Sequence, residues 1–251
     1  MWPSYVINLA ANTVRMDSVA AVLGGQAIPF ERLDAVNGRA LSAAEVARVY
    51  DAQANRRRGR HALLPGEIGC YLSHIAAWRR IAEGQAAGGF IFEDDIAATE
   101  DLGAVLASLS QDGGSDWDMV KLFTLDPEPK IVRERMLGLG QRLVVPYKVP
   151  TCLMGYGLTR KAALQLVARA LPFFRPVDED QKFFWETGLR VALVLPAPVL
   201  LGDQQTVTGT IGNARREVPK AGMMHRLHGL RYQLGYRAAL HWHRWRERSA
   251  R

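Results

Sequence analysis

Three consecutive carboxylates, Glu93, Asp94 and Asp95, directly follow a short apolar run at residues 89–92. Such a run predicts a buried strand, which places the acids at a sheet edge. Adjacent carboxylates repel one another, and a bound cation offsets that repulsion. Oxygen ligands favour Mg²⁺ or Mn²⁺ over zinc, and proteins hold these ions with one or two carboxylates plus substrate phosphates. The pattern predicts a divalent-metal site, and a solvated acidic turn is the alternative.

A second acidic cluster lies at residues 178–180, after Pro176 and before an aromatic run. These acids are predicted at the start of a helix, where the helix dipole stabilises them, so Asp178 could be an N-terminal cap alone. Paired with the first cluster, Asp178 and Asp180 would supply the carboxylate base that glycosyl chemistry needs toward an attacking hydroxyl. The two clusters would then have different roles.

Cys70 and His74 are four residues apart on a predicted helix and therefore share one face. Such a pair can bind zinc, but with no second pair of ligands nearby in the sequence a complete tetrahedral site is not expected. We predict a histidine that is satisfied within the fold or contacts substrate. The sequence has no glycine-rich phosphate loop ending in Lys-Ser or Lys-Thr, which disfavours a P-loop ATPase or GTPase, and it has no G-x-S-x-G elbow.

The elements that must position these residues alternate between strand and helix, which predicts an α/β sheet. Strands are expected at residues 5–9, 30–36, 89–92, 117–123, 143–146, 155–158 and 191–195. Helices are expected at residues 13–23, 65–82, 102–109 and 160–169, with an aromatic helix running to Trp185. Ser42 and Glu45 have the spacing of a capping box. The basic stretch at residues 55–61 is predicted to be a mobile surface loop, with a phosphate-facing role as the alternative.

Length and composition predict one compact domain at residues 1–212 with a tail at 213–251. The chain has 251 residues, of which 48% are hydrophobic, enough for a substantial core. No apolar run approaches the ~20 residues of a membrane helix, and the N-terminus lacks the pattern of a signal peptide. Its two cysteines are too few for a disulfide framework, so we expect a cytoplasmic protein.

The formal charge of +7 is concentrated in the tail. Residues 215–251 hold ten Arg or Lys against two Glu, a net +8, which leaves −1 for residues 1–214. Basic residues interleaved with aromatics suit an anionic membrane surface or a nucleic acid. We favour the membrane surface because apolar residues recur at helical spacing, and the alternative is a helix packed on the body by the same stripe. This stripe comprises Leu227, Leu230, Leu234 and Ala238.

In content and order, these segments resemble glycosyltransferase family 25, the lipooligosaccharide galactosyltransferases and their relatives. The matching segments are YVINL at 5–9 with Arg15, FERLDAVNG at 30–38, GEIGCYLSH at 66–74, FEDDI at 92–96, GYGLTRKA at 155–162 and PVD at 176–178. The segment at 66–74 is similar to the family's most specific signature. The resemblance spans roughly residues 4–212 and leaves the tail uncovered.

The resemblance implies a GT-A-like α/β fold with a mixed central sheet, a nucleotide-sugar donor, a divalent metal and inversion at the anomeric carbon. By the same resemblance, Glu93, Asp94 and Asp95 would carry the metal, with Asp95 as the first choice of direct ligand, and Asp178 and Asp180 would be catalytic. The donor would contact a further set of residues, namely Asn8, Arg15, Asp34, Ala35, Glu67 and His74.

We therefore expect a Mn²⁺- or Mg²⁺-dependent transferase that moves a hexose, galactose first, from a UDP-sugar. The expected acceptor is a lipooligosaccharide or other cell-surface glycan or glycolipid, reached from the inner face of the cytoplasmic membrane. One alternative is a hexosyltransferase with a protein or small-molecule acceptor. Another is a non-catalytic protein that holds membrane or nucleic acid with its tail, and the intact acids at 93–95 count against it.

Overall fold

The computed structural model of the protein describes residues 1–138, 140–202 and 223–249, with side chains described for 229–247 in the last segment. Strands in these ranges are β1 (Ser4–Asn8), β2 (Phe30–Asp34), β3 (Gly88–Glu93), β4 (Ile96–Ala98), β5 (Met119–Lys121), β6 (Ile131–Gly138), β7 (Gln141–Pro146), β8 (Gly155–Thr159), β9 (Val191–Leu195) and β10 (Val199–Leu201). Helices are α1 (Thr13–Gly24), α2 (Ala43–Val49), α3 (Ala52–Arg58), α4 (Pro65–Glu83), α5 (Leu102–Asp112), α6 (Arg160–Arg169), α7 (Val177–Gln181), α8 (Phe184–Thr187) and α9 (Met223–Ser249).

A mixed sheet of eight strands, in the order β2-β1-β3-β8-β5-β9-β7-β6, forms the centre of the fold. Strands β2, β1 and β3 run parallel, and β8 runs antiparallel to both β3 and β5. The C-terminal ends of β1, β3 and β5 and the N-terminal end of β8 therefore lie on the same side of the sheet, along the edge formed by the strand ends. Strands β4 and β10 form a separate antiparallel pair just beyond this edge. The predicted mixed α/β sheet is confirmed.

Two large apolar clusters cover the sheet. One is built on α4 and α6 around Trp78 and Tyr156, and the other is built on α1 and α5 around Phe92 and Trp117. Because the inner strands are covered on both faces, every residue of β1, β8 and β9 is buried. Continuous apolar runs rather than alternation are what such strands require.

Helix α4 begins at Pro65, whose missing N–H is not needed in the first turn. Its first turns pack closely on the loop after β2, where a Cβ on Gly69 would come within 2.4 Å of the Val36 carbonyl oxygen. Ser73 then donates to the Gly69 carbonyl and accepts from the Val36 N–H at 2.8 Å. The absence of a side chain at Gly69 therefore lets α4 approach the loop after β2.

Most predicted helices and strands are confirmed, and the exceptions have physical causes. The basic stretch at 55–61 is largely helix α3 rather than a loop, because Asp51 caps its N-terminus and the Asn55 side chain donates to the His61 and Phe174 carbonyls. Strand β6 was not predicted, since its alternating exposed charges are those of an edge strand. The single aromatic helix predicted to run to Trp185 is instead two short helices, α7 and α8.

Helix α9 packs on the body, but not through the predicted leucine stripe. Among the side chains described for α9, those of Tyr236, Leu240 and Arg244 are buried, and the Arg244 guanidinium donates to the carbonyls of Pro146 and Tyr147. Leu230 and Leu234 are exposed instead. Leu227 has no described side chain, and the boundary predicted at 212 lies outside the described residues. No helix in the described part of the chain is long and apolar enough to cross a membrane.

Candidate active site

The acidic residues at the end of β3 meet the end of β1 through a short polar network. The parallel register places Ile7 opposite Glu93, so the next residue, Asn8, reaches Asp94. The Asn8 side-chain amide donates to Asp94 Oδ2 at 2.6 Å, and the Asp94 side chain is 8% exposed. Beyond the acids, the Gly202 N–H donates to the Asp95 carbonyl. The acidic turn is therefore a fixed, largely buried structure and not a solvated loop.

Arg15, in the first turn of α1, connects two of these carboxylates. One guanidinium nitrogen lies 2.7 Å from Asp94 Oδ1 and 2.7 Å from Asp95 Oδ2. Burial, followed by the charge of Glu93, nevertheless raises the pKa of Asp95 to about 7. Burial also raises the pKa of Asp94. A single arginine thus does not fully offset the repulsion, and added positive charge would stabilise the ionised acids.

Glu93 contacts His74 on α4. His74 Nε2 lies 3.3 Å from Glu93 Oε1, and His74 Nδ1 lies 2.8 Å from the Tyr156 hydroxyl. Trp78 Nε1 donates to the same hydroxyl at 2.8 Å. The His74 side chain is only 1% exposed, and its two ring nitrogens contact Tyr156 and Glu93. Its predicted contact with a donor stays a prediction.

Asp178 reaches the same region from α7. Burial raises the pKa of the Cys70 thiol well above its usual value, and the charges of Glu93, Asp178, Glu67 and Asp95 raise it further. Acids from both clusters therefore influence the same thiol, although they are distant in the sequence. The joint role that the sequence analysis gave the two clusters stays a prediction.

The Asp178 carboxylate is held by backbone donors. Its Oδ1 accepts from the Glu179 N–H at 2.8 Å, and its Oδ2 accepts from the Cys152 N–H at 3.2 Å. Cys152 adopts a left-handed backbone with φ +66°, which is uncommon for a residue with a side chain. Burial raises the pKa of Asp178, while nearby Lys121 and the backbone donors lower it. A carboxylate in this setting is suited to accept a proton.

Lys121 is a site residue that the sequence analysis missed. It ends β5, is 0% exposed, and donates its ammonium protons to the carbonyls of Pro150, Thr151 and Cys152. Burial lowers its pKa to about 8, against the opposing charges of Cys152, Asp178 and Glu93. The loop that donates to Asp178 is thus wrapped around a buried cation. A lysine inside an otherwise apolar strand was the signal available in the sequence.

Asp180 has a different environment from Asp178. Its Oδ2 accepts from the Tyr71 hydroxyl at 2.8 Å, and its Oδ1 pairs with Arg175 at 2.7 Å. Tyr71 in turn stacks on Phe173 with the ring centres 4.0 Å apart. With both oxygens engaged, Asp180 ties α7 to α4, so its position supports a structural role rather than the predicted catalytic one.

The other predicted donor contacts lie around the same edge. Asp34, at the end of β2, is 79% exposed in its side chain and pairs with Arg32, and the Ala35 N–H donates to the Asn8 carbonyl. Both border the β1 end and are accessible from it. Glu67 accepts from the Leu64 N–H at 2.7 Å, which caps the start of α4. The structure accordingly gives Glu67 a capping function.

The oxygens of Glu93 and Asp95 fit a hard divalent cation such as Mn²⁺ or Mg²⁺. The Glu93 side chain is 28% exposed, and burial, followed by the charge of Glu93, raises the pKa of Asp95 despite the nearby Arg15. Two carboxylates are what such ions take from a protein when substrate phosphates complete the shell. Asp94 is less available, because its two oxygens are bound by Arg15 and Asn8.

The chain is similar in sequence to known glycosyltransferases. A family model described as "Glycosyltransferase family 25 (LPS biosynthesis protein)" matches residues 1–180. The chain is similar to "Procollagen galactosyltransferase 2" of Mus musculus, at 26% identity over 183 residues, covering 70% of this chain and 29% of the relative. It is similar to "Procollagen galactosyltransferase 1-A" of Xenopus laevis at 28% identity over 183 residues, covering 70% and 30%.

A third relative is "Inactive glycosyltransferase 25 family member 3" of Mus musculus, 27% identical over 215 residues and covering 76% of this chain. The chain spans only 29% to 35% of the length of these three relatives. Relatives named as transferases and as inactive proteins thus both match. Since the family model covers more than half of the chain and the predicted signatures lie within it, the protein belongs to glycosyltransferase family 25.

Proposed function

We propose that the protein is a metal-dependent, inverting glycosyltransferase that moves a hexose, galactose first, from a UDP-sugar to an acceptor hydroxyl. The observation that carries this proposal is the placement of three acids: Glu93 and Asp95 at the end of β3, where Arg15 binds Asp95, and Asp178 at the start of α7, where backbone N–H groups hold it. Glu93 and Asp95 are suited to bind a cation, and Asp178 is suited to act as a base. Inversion needs the base and the metal-bound diphosphate on opposite sides of the anomeric carbon. The acceptor hydroxyl then attacks from one side as the diphosphate leaves from the other.

In this proposal each group has one task. Glu93 and Asp95 would hold Mn²⁺ or Mg²⁺, which when bound neutralises charge on the departing diphosphate. Arg15, beside the same acids, adds a fixed positive charge at the sheet edge. Asp178 would accept the proton of the acceptor hydroxyl, because burial raises its pKa toward the range in which a carboxylate is an effective base. His74 would keep Glu93 in place.

The acceptor has two candidates. The family description includes lipopolysaccharide biosynthesis, which favours a lipooligosaccharide or other cell-surface glycan. The relatives named procollagen galactosyltransferase favour a protein acceptor as the second candidate. Transfer of labelled galactose to oligosaccharide and to collagen-like peptide acceptors, run in parallel, distinguishes them.

We further propose that α9 lies against an anionic membrane at the cytoplasmic face. Its buried side is taken up by the body, while Leu230, Leu234, Trp242 and Trp245 are 50% to 62% exposed on the other side. Their spacing places them on one helical face. Exposed apolar residues on a basic helix are typical of interfacial helices. A lipid-linked acceptor would then be presented next to the site.

The donor and the metal are tested by thermal unfolding with a panel of nucleotide sugars, with Mn²⁺ and again with excess chelator. A UDP-sugar at 100 times its Kd should add about 2.7 kcal/mol, or about 5–10 °C in Tm, and the shift should vanish with chelator. Asp95→Asn should abolish the Mn²⁺-dependent part, while Asp126→Asn on the exposed surface should retain it. The absence of a shift with every nucleotide would overturn the proposal.

A further inference from the structure

Glu93 also belongs to a second group of potential metal ligands, which includes sulfur and nitrogen as well as oxygen. Cys70 Sγ, a nitrogen of His74 and a carboxylate oxygen of Glu93 are all within 4.8 Å of one another. In the described part of the chain, this is the one group of three His, Cys, Asp or Glu side chains that are this close. The sequence supplied Cys70 and His74 but no third ligand nearby. The fold supplies the third from the end of β3.

The spacing of these atoms suits a tetrahedral ion. His74 Nε2 and Glu93 Oε1 are 3.3 Å apart, which is long for an N–H···O hydrogen bond. Two ligands at the usual Zn–N and Zn–O lengths of about 2.0–2.1 Å lie about 3.3 Å apart around a tetrahedral centre. Cys70 is one helical turn before His74, so its sulfur faces the same space. Cys70 and Glu93 are both of intermediate exposure as whole residues.

The second ring nitrogen of His74, Nδ1, already has a hydrogen-bond partner. This nitrogen lies 2.8 Å from the Tyr156 hydroxyl, which Trp78 also contacts at 2.8 Å. A metal-bound histidine is usually oriented by a hydrogen bond from its second nitrogen, and loss of such a partner costs about 10–100-fold in metal affinity. With a metal on Nε2, Nδ1 would carry the proton and donate to Tyr156. The imidazole is therefore preorganised as a ligand.

We propose that Cys70, His74 and Glu93 form a site for a thiophilic divalent cation such as Zn²⁺, separate in chemistry from the oxygen-only site of Glu93 and Asp95. A thiolate and an imidazole select zinc over Mg²⁺ and Mn²⁺. Three protein ligands leave a fourth position open for water or another small ligand. This site does not depend on the proposed transfer reaction.

Titration with Co²⁺, a spectroscopic substitute for zinc, tests the proposal on the whole chain after treatment with chelator and under reducing conditions. A thiolate–cobalt charge-transfer band in the near ultraviolet is expected, and Zn²⁺ should remove it while Mg²⁺ should not. Cys70→Ser should lose the band, and Cys152→Ser, which removes the other cysteine, should keep it. Tyr156→Phe should weaken Co²⁺ binding about 10–100-fold.

The contrary outcomes are equally distinct. Absence of the band in the wild-type protein, or an equally strong band in Cys70→Ser, would overturn the proposal. Loss of the band in Cys152→Ser with retention in Cys70→Ser would assign the sulfur ligand elsewhere and reject this site. None of these readouts uses sugar transfer, so failure here and failure of the proposed function are distinguished. The wild-type titration needs no variant, which keeps the test valid if a variant does not fold.

Discussion

At the scale of single residues, the acids of the site differ in the partners that each carboxylate has. Asp94 is satisfied by Arg15 and Asn8, while Asp95 keeps a pKa of about 7. Asp178 has two backbone donors and a buried lysine nearby. These differences separate acids that look alike in the sequence into a structural group, a metal-ligand candidate and a base candidate.

Asp178→Asn should lower kcat by about 10²–10⁴-fold with little change in donor affinity, because an amide cannot accept the hydroxyl proton. The carboxamide keeps the size of the side chain, so the fold should persist. Steady-state kinetics with a UDP-sugar, together with donor binding by thermal shift, would measure the two effects. Turnover equal to that of the wild type would remove Asp178 from the mechanism.

The pH dependence should also report Asp178. Its pKa is raised above 3.8 by burial, so the base is protonated and inactive up to a higher pH than for an ordinary aspartate. The acid limb of kcat should therefore lie above pH 3.8. Lys121 lowers this pKa, so Lys121→Met should move the limb to still higher pH. The exposed Lys161→Met serves as the control and should leave the limb in place.

At the scale of elements, the position of α4 determines where Cys70 and His74 lie. The helix approaches the loop after β2 so closely that a Cβ on Gly69 would lie 2.6 Å from the Gly38 nitrogen as well as against the Val36 carbonyl. The contact is with backbone atoms, which cannot move aside as a flexible side chain would. Close packing here therefore holds the ligand face of α4 against the end of β3.

Gly69→Ala should destabilise the protein by about 1–3 kcal/mol, because the added methyl group overpacks this contact. Thermal unfolding followed by circular dichroism would show a fall in Tm of about 2–12 °C. Gly24→Ala at the end of α1 is the matched control: its Cβ meets nothing within 4 Å, so its Tm should not fall. An equal loss in both variants would mean that the close approach does not matter.

At the scale of the whole molecule, α9 has two different sides. One side is anchored by Arg244, whose guanidinium lies over the Phe184 ring at 4.1 Å, and by Tyr236 against Trp185. The other side exposes Trp242 and Trp245. A helix anchored by aromatic and arginine contacts can present an apolar face without detaching from the body.

Sedimentation with vesicles tests this surface. The chain should bind anionic vesicles more strongly than zwitterionic ones, and the binding should fall as salt rises. Replacing Trp242 and Trp245 together by Ser should weaken binding at least about tenfold, because each large apolar side chain contributes about 1.5–3 kcal/mol when buried. Leu125→Ser with Met136→Ser, equally exposed residues away from α9, should bind like the wild type. Unchanged binding by the tryptophan variant would contradict the membrane role.

Local patterns in the sequence were sufficient for many elements of this protein. The apolar run before Glu93, the periodicity of α4 and the capping box at Ser42 all depend on neighbours within a few residues, and each is found in the structure. The shared face of Cys70 and His74 follows from helix geometry alone. The family signature depends on the same local segments, and family membership is confirmed.

Only the tertiary structure decided which distant groups meet. Strand β8 enters between β3 and β5, which brings Tyr156 to His74 and the loop at 150–152 around Lys121. The same arrangement gives Cys70 and His74 their third ligand, Glu93. Asp178 and Asp180 look equivalent in sequence, yet backbone N–H groups hold Asp178, while Tyr71 and Arg175 bind Asp180. Pairings across non-consecutive strands depend on sheet order, which the spacing of residues along the chain does not encode.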